Sequence, residues 1–88
     1  MKKKCFLDIM IFAKNYHYVI IEKNAPPQTG VVKADEVAQF IVREQITDLY
    51  LQGPVAYTTG IQAQIQEKLL TLYNYNNCII ILEGKDRK

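Results

Sequence analysis

The second half of this chain constrains the fold most, because it reads as strand, helix, strand. Residues 46–52 open an apolar run in Ile46, Leu49, Tyr50 and Leu51. A segment with Ile61, Ile65, Leu69 and Leu72 on one helical stripe follows. Residues 78–82, Cys-Ile-Ile-Ile-Leu, are then continuously apolar, the pattern of a strand buried in a parallel sheet. Two strands of one sheet joined through a helix lie parallel, and the crossover is right-handed. The remaining elements have to be added to that unit.

The first half supplies them. Between Lys4 and Ala13, Cys5, Leu7, Ile9 and Ile11 alternate with Phe6, Asp8, Met10 and Phe12. Both faces of that run are apolar, so a central strand covered on two sides is expected. Lys14-Asn15 can turn the chain into a second run, Tyr16 to Lys23, rich in β-branched and aromatic residues. After Pro26-Pro27, residues 29–33 are expected to form a short edge strand. Asp35 is expected to cap a helix reaching Glu44 or Gln45, with Val37, Phe40 and Ile41 inward. Thr58 or Thr59 is expected to cap a second helix that stops at about Asn74. The fold expected is a single α/β domain over residues 1–88 with a mixed four- to five-stranded sheet. Its order is strand, strand, (strand), helix, strand, helix, strand.

Charge and cysteine usage narrow the functional classes. Eleven basic and nine acidic residues leave a net charge of +2, too weak a field to argue for nucleic acid on its own. The basic residues gather at the ends, Lys2-Lys3-Lys4 and Lys85-Asp86-Arg87-Lys88. Cys5 and Cys78 lie in apolar runs without CxxC spacing, which fits buried thiols in a reducing compartment rather than a disulfide framework or a zinc site. Asp8 interrupts the apolar run after the N-terminal lysines, so a signal peptide is not expected. No stretch approaches the roughly 20 apolar residues of a membrane span. A cytoplasmic location without membrane association is the expectation.

The element order resembles the core of the ribonuclease H-like superfold, whose strands lie 3-2-1-4-5 with only the second antiparallel. The resemblance spans residues 4 to 83. Between the fourth strand and the second helix, Gly53-Pro54-Val55-Ala56-Tyr57-Thr58-Thr59-Gly60 resembles the Gly-Pro-Gly-Ser-Phe-Thr-Gly turn of the accessory subunit of threonylcarbamoyladenosine synthesis, with one residue inserted and the second glycine lost. Gly53-Pro54 is also similar to the Gly-Pro-Gly that follows a strand in ribosomal proteins of the small-subunit platform, although Val55 replaces the last glycine and the basic, glycine- and proline-rich tail is missing.

Two candidate sites follow. Ligands of open α/β sheets collect where strands end and helices begin, so Gly53, Thr58, Thr59 and Gly60 are the candidates for anion binding at a helix N-terminus. Asp8 is a carboxylate amid Phe6, Met10 and Phe12, where it needs a partner, a metal or a raised pKa. The resemblance implies a metal-binding aspartate on the first strand, matched here by Asp8. Glu83 from the fifth strand, or Glu22 from the second, could approach it from positions that do not match the family's, and Asp8 with Glu83 would then centre a magnesium-dependent nuclease. The same resemblance calls for an acid at the end of the fourth strand, where Gln52 stands, and for others on a later helix. No cofactor or metal is otherwise expected. Tyr16-His17-Tyr18 alternates on a strand, and His17 has no nucleophile or ligand set beside it in the sequence.

If both helices lie on one side of the sheet, its other side is bare. Phe6, Met10, Phe12, Tyr16, Tyr18 and Ile20 are the residues from which that interface would be drawn. The leading expectation is a small non-enzymatic binding module, a homodimer or the companion of a protein partner. The alternatives are the Asp8-centred nuclease and an RNA-binding protein.

Overall fold

The computed structural model describes residues 2–84. The C-terminal basic run, Lys85 to Lys88, lies outside the described residues. Five strands, β1 (Lys3–Asp8), β2 (Asn15–Glu22), β3 (Gln28–Lys33), β4 (Asp48–Gly53) and β5 (Ile79–Gly84), form one mixed sheet in the order β3-β2-β1-β4-β5. β2 runs antiparallel to β1 and β3, whereas β1, β4 and β5 are parallel. A 3₁₀ turn (Ala34–Glu36) leads into α1 (Val37–Glu44), and α2 (Val55–Thr71) joins β4 to β5. Residues 28–33 pair along their whole length with β2, so the sheet has five strands rather than four.

Both helices lie on one side of the sheet. Val37, Ala38, Phe40 and Ile41 of α1 and Ile65 and Leu69 of α2 share one core with Cys5, Leu7, Ile9, Tyr16, Ile20, Leu49 and Leu51. Side chains alternate along a strand, and paired residues share a face. The covered side of β1 is therefore Cys5 and Leu7. The expectation that β1 is covered on two sides is corrected. The strand also stops at Asp8 rather than continuing to Ala13. The Ile9 amide donates to the Gln52 carbonyl at 2.8 Å, and β4 ends one residue later, at Gly53. Met10 to Ala13 then form the turn into β2, with Phe12 left-handed at φ 65°.

Local chemistry fixes the joints. Tyr18 lies opposite Gly30 and its ring occupies the space a side chain at Gly30 would need, while its other side meets the Phe40 ring at 4.7 Å. The ring therefore repairs the packing gap of an edge-strand glycine. α1 ends where Gln45 turns left-handed at φ 58°, its amide donating to the Val42 carbonyl and that of Ile46 to the Ile41 carbonyl. This is a Schellman stop, sealed by the fully buried pair Ile41 and Ile46. Asp35 lies within the 3₁₀ turn, and no side-chain cap is made at the start of α1. α2 ends at Thr71 and leaves Leu72 67% exposed, so Leu72 is not part of the inward stripe. Tyr75 anchors the connection to β5, its hydroxyl donating to the Ile46 carbonyl at 2.9 Å. Cys78 sits just ahead of β5 rather than inside it.

Candidate functional site

The sheet side away from the helices carries three rows of side chains, each fixed by the register. The first row is Ile21, Lys4, Asp48 and Ile79. The second is Thr29, Val19, Phe6, Tyr50 and Ile81, and the third is Val31, His17, Asp8, Gln52 and Glu83. Among the described residues, no helix or strand covers these rows. Their outer members are open: Ile21 is 45% exposed, Val31 55% and Ile79 64%. At the centre, Phe6 and Tyr50 stack with ring centroids 4.6 Å apart and planes 11° from parallel. Such a pair is worth about 1 kcal/mol beyond its buried area, so the face has a rigid aromatic centre rather than two mobile rings.

The third row places the residues expected to carry metal chemistry. Asp8 and Glu83 share that row but lie two strands apart, about 10 Å at the usual strand spacing. Gln52 stands between them, its amide donating to Glu83 Oε1 at 2.8 Å. Asp8 is engaged within the fold, and Glu22 lies at the other end of β1, opposite Lys3. Among the described residues, no three His, Cys, Asp or Glu side chains converge as metal ligands would. The arrangement brings His17 beside Asp8 across the hairpin, a pairing that sequence spacing did not reveal.

The loop expected over residues 53–60 is corrected. Gly53 ends β4, Pro54 occupies the N-cap and α2 runs from Val55 straight through Gly60. Thr58 and Thr59 do not cap the helix. They sit inside it, and both hydroxyls donate back to the Val55 carbonyl, at 3.3 and 2.8 Å. Thr58 is fully buried. The amides of Tyr57 and Thr58 both donate to the Pro54 carbonyl. Helix-start amides without an internal partner thus belong to Val55 and Ala56, a turn away from Gly60. Three surface depressions, of about 340, 450 and 580 Å³, lie along β3–α1, the β2 entry and the Lys3–Thr47–Tyr75 end, and none is lined by Gly53, Thr58, Thr59 or Gly60.

The six interface candidates divide among three environments. Phe6 lies at the centre of the bare face. Met10 and Phe12 lie in the β1–β2 turn, with Phe12 94% exposed. Tyr16 and Tyr18 are corrected, as is Ile20: all three point to the helices, where Tyr16 and Ile20 are buried and Tyr18 packs on Phe40. Tyr50, Ile21, Ile79 and Ile81 were missed as members of the face. The signal that finds them is the register: once Cys5 is in the core, the face of every paired residue follows from it.

The remaining reactive groups are quiet. Burial pushes the Cys5 thiol up to about 12, with the nearby Cys78 and Glu44 adding to the effect. Cys78 is likewise pushed up to about 12, by burial and the charge of Asp48, against a hydrogen bond from the Leu49 backbone. Thiols held protonated are poor nucleophiles and poor metal ligands. No described helix is long and apolar enough to cross a membrane. Compared with protein-family models, curated proteins and solved structures, the chain matches none.

Proposed function

We propose that this chain is a non-enzymatic docking module on a ribonuclease H-like scaffold, and that it works by presenting the bare side of its sheet to a protein surface, its own or another's. The observation that carries the reading is the stacked Phe6–Tyr50 pair at the centre of an uncovered row, with Val19 and Ile81 beside it. Apolar rows of this extent on a sheet are ordinarily covered, and where a chain leaves them open they mark an interaction site. The order β3-β2-β1-β4-β5 with only β2 reversed supports the scaffold.

The rivals find less support in the same geometry. Divalent-metal hydrolysis needs carboxylates gathered around the ion, and an amide stands between Asp8 and Glu83. RNA binding needs a positive field. On this face the carboxylates of Asp8, Asp48 and Glu83 stand among Lys4 and Lys33, and Lys2 is committed to Asp48 at 3.4 Å. Lys3, on the helix side, pairs with Glu44 at 3.4 Å.

Photo-crosslinking in the source cells tests the proposal. A Tyr50→p-benzoylphenylalanine variant is expected to give a discrete light-dependent adduct, while the same replacement at exposed Gln66 on α2 gives none. Absence of any adduct at position 50 overturns the reading. So does magnesium- or manganese-dependent cleavage of RNA or DNA that Asp8→Asn abolishes.

A further inference from the structure

We propose that the occupant of the bare face is a second copy of this chain, seated about a two-fold axis that runs along the strands between β1 and β4. This rests on the docking reading above and names its partner. The argument is self-complementarity. A rotation about that axis exchanges β1 with β4 and β2 with β5, and keeps each row at its own height.

In the first row, Ile21 then faces Ile79 of the second copy, while Lys4 lies over the position of Asp48, whose own side chain is only 8% exposed. In the second, Phe6 faces Tyr50 and Val19 faces Ile81. In the third, Asp8 faces Gln52 and His17 faces Glu83. Every position meets a side chain of matching character, and no like charges oppose each other. Asp48 also keeps Lys2 at 3.4 Å, so the sharpest polar match is His17 with Glu83, whose carboxylate is held in place by Gln52. An axis across the strands lacks this property. It would stack each strand on its own copy and set Glu83 against Ile79.

The arrangement is isologous and closed, so it stops at two copies rather than forming fibres. It is also an ordinary aligned sandwich, two sheets about 10 Å apart with strands crossing at about 30°. β3 has no counterpart on the far side of β5, which leaves Thr29, Val31 and Lys33 at the rim. The contact therefore spans four strands over about six residues of length each, a flat footprint of roughly 380 Å² per copy from ordinary strand spacings. Side-chain relief brings the total to the order of 1,000 Å², the lower end of specific interfaces. A reversible dimer with a dissociation constant in the micromolar range is the consequence.

Sedimentation velocity on the full chain from about 5 to 500 μM covers that range. The mass is expected to rise with concentration from 10.2 kDa toward twice that value. Tyr50→Asp is expected to remain monomeric throughout. Should that variant fail to fold by circular dichroism, Ile79→Asp, at a 64% exposed position, takes its place. His17→Glu and Glu83→Lys are each expected to weaken the dimer about tenfold, and the double variant to recover to within about threefold of the native chain, because opposite charges then face each other across the contact. A chain monomeric at 500 μM overturns the proposal, as does a dimer indifferent to the substitutions on this face or single losses that the double variant does not recover. If the monomeric chain still gives a discrete adduct with another protein at position 50, only the second copy is excluded. If it gives no adduct, the docking reading falls with it.

Discussion

A methyl group added at Gly53 would sit 2.8 Å from the Ile9 carbonyl oxygen, whereas one added at Gly60 meets nothing within 4 Å. The first contact is with backbone that cannot rotate away, and it also crowds the Thr58 methyl at 3.3 Å. Gly53→Ala is therefore expected to cost about 1–3 kcal/mol. Gly60→Ala, in the interior of α2, is expected to add about 0.5–1 kcal/mol by lowering the entropy of the unfolded chain. Thermal unfolding separates the two, since about 1 kcal/mol moves the midpoint of a domain this size by roughly 4–8 °C. A gain at Gly53 or a loss at Gly60 would contradict the geometry. In the sequence the two glycines frame what looks like a loop, because Gly-Pro and paired threonines are both turn signals. Pro54 alone makes the turn, and the threonines satisfy their hydroxyls on Val55 without leaving the helix.

At the scale of elements, the stop of α1 shows how a side chain can be tolerated where glycine is usual. Gln45 is left-handed, and its side-chain amide donates to the Val42 carbonyl at 3.1 Å. That bond is exposed, so its net worth is small, while the steric penalty of the left-handed residue remains. Gln45→Gly is expected to be neutral to stabilising by up to about 1 kcal/mol, read as a rise in the urea midpoint at constant slope. A clear loss would mean that the Gln45–Val42 bond outweighs the backbone strain. The extents of α1, β2 and β3 were legible because period and turn residues agree there. The length of β1 was not. Ile9 to Phe12 continue its alternation, but β4 offers no partner beyond Gly53 and the chain has to turn. Nor could alternation decide which side of β1 the helices cover, because Phe6, Met10 and Phe12 are as apolar as Cys5, Leu7 and Ile9. Only the register with β2 and β4 separates the two sets, and with it the site: Phe6 was legible as interface, while Tyr50 became visible only as its stacked neighbour.

For the whole molecule, four weak acids, two buried and two half-buried, point the same way. Burial raises Cys5 and Cys78 to about 12, raises Tyr16 to about 12 with help from its hydrogen bond to Tyr57, and raises Tyr75 beside Cys78. In each case the folded state holds its proton longer than the unfolded chain does. The stability these groups contribute is thus fully present below about pH 9, where unfolded thiols begin to ionise, and is lost as pH rises through about 12. Urea midpoints followed from pH 7 to 12 are expected to be level and then fall, with Cys5→Ala flattening the fall while lowering the plateau. A midpoint that rises above pH 9 would contradict the burial of these groups. The central place of β1 has a consequence for how the chain folds. Its pairing with β2 closes through a short turn, whereas its pairing with β4 must wait for residues from across the chain, a slower and entropically dearer closure. The strand best protected in the finished sheet is thus the one that stays open along one edge for longest while the sheet is being made.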